Sequence, residues 1–134
     1  MNESIKALYA ELAKALGLAE LTPDADGGVQ LNIGEASTVV LFAENATTLM
    51  VVSPVMDLPQ AIDYGRVLWL LRRNFYDSSL MPFRVSCDAD GQVVLWGRVP
   101  VDVMDGESLA SLIDALGAEA DLIREEIEVE EDAG

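Results

Sequence analysis

A single cysteine, 24 side-chain carboxylates and two Asp-Ala-Asp-Gly segments are what this chain of 134 residues offers toward chemistry, and it has no histidine. Without histidine there is no Ser-His-Asp or Cys-His pair, no imidazole metal ligand and no ordinary general base near neutrality. One thiol cannot build a multi-thiolate zinc site. A reactive thiol needs an electropositive, partly exposed setting. Cys87 lies in the apolar stretch "FRVSC" and reads instead as a small, inert core residue. The segments Asp24–Gly27 and Asp88–Gly91 resemble calcium loops only superficially. With each glycine at loop position six, the bidentate glutamate needed at position twelve is replaced by Ile33 or Gly97. Both segments therefore read as turns. Carboxylate pairs such as Glu125 with Glu128 lie in a charged stretch with no apolar pocket to raise a pKa. No phosphate-cradling loop, dinucleotide fingerprint or GxSxG is present. The expectation is a protein that works through its surfaces, without catalytic residues, metal or cofactor.

The elements that shape those surfaces follow from periodicity. Ile5, Leu8, Leu12 and Ala15 or Leu16 recur at helical spacing over 3–16, and Gly17 supplies a left-handed stop. "TPDADGG" at 22–28 is a turn-rich connector. Three strands follow at 29–34, 37–44 and 48–56, with short connections that make them antiparallel. The second and third are apolar on both faces, which predicts a cover on each side of the sheet. A second helix is expected over 59–76, opened by Pro59 and closed by Arg72 and Arg73. Ala61, Tyr64, Leu68, Leu71 and Phe75 form one stripe on it, while Val67, Trp69 and Leu70 lie off that stripe. A helix apolar all round must be buried on two sides. In so small a domain the second side is expected to be another subunit. A hairpin at 83–101 and a third helix, capped by Asp105 and running over 107–127, complete the chain. The order α-β-β-β-α-β-β-α predicts an α+β fold, an antiparallel sheet with three helices packed on it. Residues 1–127 read as one domain and 128–134 as an acidic, disordered tail.

Charge narrows the partners. Residues 1–101 carry 12 acids and 7 bases, whereas 102–134 carry 12 acids and only Arg124. A net charge of −16 repels phosphate backbones and anionic lipid, so neither nucleic acid nor a membrane is an expected partner. Apolar residues make up 51% of the chain, yet no run approaches the roughly 20 residues of a membrane span. The N-terminus does not read as a secretory signal, and a lone cysteine fits a reducing cytoplasm.

Over 70–127 the sequence resembles the class I type III secretion chaperones, the Tir-chaperone or CesT-like family. The resemblance lies in "LLRRNF" at the end of the second helix, the hairpin to "VVLWGRVPVD", the entry "MDGESL" and a last helix running to "ADLIREEI". The N-terminal half agrees in order: a short helix, a Gly-rich connector, three strands, then Leu58-Pro59. The YbjN-like bacterial regulators are similar in fold and share the Asp-x-Asp-Gly hairpin before the last helix. The chaperone resemblance implies a cytoplasmic homodimer that holds the N-terminal region of a secreted effector largely unfolded before export. It places the dimer interface at Val67, Trp69, Leu70 and Arg73, with Trp96 and Arg98 on the neighbouring strand. It places effector binding at Leu8, Leu12, Val29, Leu31, Ile33, Phe42 and Met50, with an effector strand extending an exposed sheet edge.

Overall fold

The structure is a computed structural model that describes residues 3–25, 27–33, 37–58, 64–74 and 83–133. Helix α1 (Glu3–Ala15) is followed by strands β1 (Val29–Ile33), β2 (Ser37–Ala43) and β3 (Thr48–Asp57). Then come helix α2 (Tyr64–Arg72), strands β4 (Arg84–Cys87) and β5 (Gln92–Pro100), a 3-10 turn (Val101–Val103) and helix α3 (Gly106–Ala133). This is the expected α+β order. Pro59, Ala61 and Phe75, assigned to the second helix from sequence, lie outside the described residues.

All five strands form one antiparallel sheet in the order β1-β2-β3-β5-β4. Its two faces differ sharply. Val39, Leu41, Leu49, Val51, Leu95 and Val99 point to one side and are buried. There they meet Leu109, Ile113, Leu116, Ile123 and Ile127, the apolar stripe of α3. Each of these side chains contributes about 2 kcal/mol by leaving water. Helix α1 packs on α3 and the 3-10 turn through Ile5, Leu8 and Leu12, closing the same core.

Local chemistry sets the element ends. Gly17 has φ 74°, a conformation that costs a side chain with a Cβ, and the Leu18 N–H returns to the Ala13 carbonyl at 2.8 Å. Both Asp-Ala-Asp-Gly segments are turns held by their first aspartate. Asp24 Oδ1 accepts from the Gly28 N–H, and Asp88 Oδ1 accepts from Asp90 and Gln92, each at 2.9 Å. Asp105 caps α3 by accepting from the Ser108 N–H at 2.7 Å.

The register of β3 against β5 slips between Pro54 and Met56, leaving Val55 as an extra residue. Arg124 reaches from α3 to that bulge. Its Nε donates to the Val55 carbonyl and its Nη1 to Asp121, which also accepts from Ser37 on β2. One polar cluster thus ties α3 to two strands.

Two sequence expectations change. Helix α3 does not stop at 127: the helix continues to Ala133, past Ile127, the last core residue among those whose burial is described. Cys87 is exposed, because β4 is an edge strand and Cys87 is its final residue.

Candidate functional site

The second face of the sheet carries no helix among the described residues, although its strands are apolar there. Cross-strand register assembles it in rows. Phe42 stands opposite Met50, which stands opposite Arg98. Val40, Val52, Trp96 and Arg84 form the next row, and Pro54, Val94 and Ser86 the third. Phe42 is 39% exposed, and Val40, Met50, Val52, Val94 and Trp96 are half-buried. The polar groups on this surface hold its shape. The Trp96 Nε1–H donates to Ser86 Oγ at 2.9 Å, and the Arg98 guanidinium lies 5.1 Å from the Trp96 ring centroid. Arg98 Nε also donates to Glu44 at 2.9 Å. That bond, and the Glu44 charge, raise the Arg98 pKa still further above neutrality. The result is an apolar strip with a charged rim.

A second surface belongs to α2, which lies beside α3 on the helix-bearing face. Trp69 and Leu70 turn inward and pack against the core. Arg73 sits 5.4 Å from the Trp69 ring and 3.5 Å from Glu119 on α3. The opposite side of the helix faces outward: Leu71 is 61% exposed, Val67 37%, and Leu68 is half-buried. Leu122 on α3, 52% exposed, borders a crevice with Trp69 and Arg73. Between α2 and the sheet edge runs an apolar groove of about 130 Å³, walled by Val67, Leu70 and Leu71 against Val85 and Cys87.

These placements divide the residues singled out from sequence. Val67 is on the outward side of α2 as expected, whereas Trp69 and Leu70 face their own core. The stripe containing Leu68 and Leu71 is the exposed one. Trp96 and Arg98 lie on the opposite face of the sheet from α2. Among the residues assigned to effector binding, Leu8, Leu12 and Val29 are core residues at 2%, 0% and 2% exposure, with no surface to offer a ligand. Leu31 and Ile33 are half-buried on the edge strand β1, toward the helices, and Phe42 and Met50 are on the other face. Sequence reasoning named only those two of the outer strip's apolar residues as binding residues. Val40 and Val52 were legible as the second faces of doubly apolar strands, whereas Val94 on β5 was not singled out.

The sheet has two edges, β1 and β4. Among the described residues, no hydrogen bond from outside the ladder reaches the backbone of β1. Its outward N–H and C=O groups are open to a further strand. None of the described helices is long and apolar enough to cross a membrane.

A family model described as "Tir chaperone protein (CesT) family" matches residues 7–124. Among solved structures, the fold is similar to that in the Yersinia pestis type III secretion chaperone SycH in complex with a stable fragment of YscM2. There the identity is 26%, the TM-score 0.72, and the match covers 88% of this chain and 98% of that one. It is similar also to a chain of the heterodimeric ExoU–SpcU complex from the type III secretion system of Pseudomonas aeruginosa, at 26% identity and TM-score 0.73, covering 87% and 94%. The HopA1–SchA chaperone–effector complex shares the fold at 14% identity and TM-score 0.73, over 91% and 94% of the two chains. A sequence search of curated proteins gives no match.

Proposed function

This chain belongs to the Tir chaperone protein (CesT) family, and from that premise we propose that it is a type III secretion chaperone. In this reading it binds the N-terminal region of a cognate effector in the cytoplasm, as a homodimer, and keeps that region soluble and competent for export. The family match favours this reading over the YbjN-like resemblance. No reaction is assigned to it.

The observation that carries the proposal is the apolar strip on the sheet, which none of the described helices covers, adjoining the β1 edge. A folded monomer rarely leaves such a face bare without a partner for it. An extended or helical client segment can lay apolar side chains on Phe42, Met50 and their neighbours, and a strand can join β1. Phe42, Met50, Leu31 and Ile33 remain the effector-binding candidates, while Leu8, Leu12 and Val29 support them from the core. For the homodimer, the outward stripe of α2 with Val67, Leu68 and Leu71 is the better seam. Trp69, Leu70 and Arg73 brace it from beneath, and Trp96 and Arg98 join the client-facing strip.

Coexpression with a secreted effector tests the reading. A soluble complex should form that protects roughly 50–100 residues of the effector's N-terminal region from protease, the scale of surface that disordered segments bury. Phe42→Asp or Met50→Asp should abolish that protection while leaving the chaperone folded. Undiminished binding to an effector lacking its N-terminal region would overturn the proposal.

A further inference from the structure

The β4 edge differs from the β1 edge because one side chain fills it. Asn74, the second residue beyond α2, stands beside Val85. Its Nδ2 donates to the Val85 carbonyl and its Oδ1 accepts from the Val85 N–H, both at 2.7 Å. A carboxamide presents a donor and an acceptor side by side, as a peptide unit does. Val85 is in the centre of β4, opposite Leu95 of β5, and both its backbone groups point away from the sheet. In an antiparallel ladder such a residue exchanges two hydrogen bonds with the residue facing it on the next strand. Asn74 makes both of those bonds. At one end of the strand the Phe83 carbonyl accepts from Arg84 Nη1 at 3.2 Å. At the other end the chain enters the Asp88 turn.

We infer that Asn74 acts as a surrogate strand residue that closes the β4 edge, so that strand addition is confined to β1. The consequence for client capture rests on the chaperone reading above; the closure of the edge does not. An incoming segment at β4 would have to break two short hydrogen bonds in a half-buried setting, whereas at β1 it meets unpaired groups. Asn74 thereby sets which edge accepts an extended polypeptide, and it does so from the turn that follows α2, the helix whose outer stripe is the proposed dimer seam.

Amide exchange and hydrodynamic size test this on the full chain with reductant present, because Cys87 is exposed. In Asn74→Ala the Val85 amide should exchange about tenfold faster, the scale expected for losing its hydrogen bond. Species larger than the wild-type particle should also appear in sedimentation velocity as concentration rises. Adding Cys87→Lys, which puts charge on the opened edge, should remove those species. Asn74→Asp keeps an acceptor for the Val85 N–H but sets a carboxylate against the Val85 carbonyl. It should preserve amide protection while still permitting association, and it serves if the alanine variant does not fold. A Val85 amide equally protected in Asn74→Ala, or a particle size unchanged in both variants, would overturn the inference. Effector capture is read separately: its failure with Val85 behaving as described refutes the chaperone reading and leaves the edge closure standing.

Discussion

Asp105 illustrates how a single carboxylate contributes to this fold. The backbone N–H of Ser108, and then the Ser108 hydroxyl, hold its pKa below the ordinary aspartate range. A depressed carboxylate stabilises the folded state above its unfolded pKa and loses that contribution as pH falls through its folded value. Asp105→Ala should therefore melt at lower temperature than wild type at neutral pH. The difference should close as pH drops below about 4. Asp105→Asn caps without titrating and should show a smaller deficit at neutral pH, which shrinks with falling pH by the same amount because only wild type titrates at this position. Circular dichroism melts at several pH values check both, and a deficit in Asp105→Ala that persists undiminished at about pH 3 would contradict the ionic origin. This cap was legible in sequence, since an aspartate before an apolar helical pattern has few other roles. The exposure of Cys87 was not. Whether a short apolar strand is central or at an edge depends on pairing, which local composition does not encode.

Helix packing turns on two glycines. A Cβ on Gly106 would fall on the backbone of Glu11 in α1, and one on Gly117 would come within 2.8 Å of Ile33 Cγ2 on β1. A side chain can yield by rotating, whereas a backbone cannot. Gly117→Ala should thus cost about 1–3 kcal/mol, typical of overpacking, and Gly106→Ala more, by separating α1 from α3. Denaturant midpoints at unchanged m-value measure both. At this scale the helix and strand order was readable, because periods of 3.6 and 2 are distinct. The face of α2 was not. On a helix apolar all round, periodicity marks a stripe without saying which side meets the core. Here the inward side is chosen by Arg73 reaching Glu119 and by Leu70 meeting the β4–β5 end, contacts distant in sequence. The same limit applies to Leu8 and Leu12, whose spacing suits a groove lining as well as a core until α3 is seen to cover them.

For the whole molecule, the outer strip of the sheet and the outward stripe of α2 matter most. Leu71→Asp should reduce a light-scattering mass from dimer to monomer at micromolar concentration without loss of helical signal. Leu70→Asp, striking the core, should destabilise the fold itself. A monomeric wild type, or a dimer indifferent to Leu71→Asp, would remove α2 from the interface. That the second and third strands are apolar on both faces was legible from their lack of alternation. Finally, Arg124 is the only cation after residue 101, and the structure turns it inward to the Val55 bulge. The outer surface of α3 is left to Glu107, Asp114, Glu125, Glu126 and Glu128, all exposed. The exposed charges of that helix are consequently of one sign. An anionic surface that approaches along this helix is repelled, and added salt should weaken that repulsion.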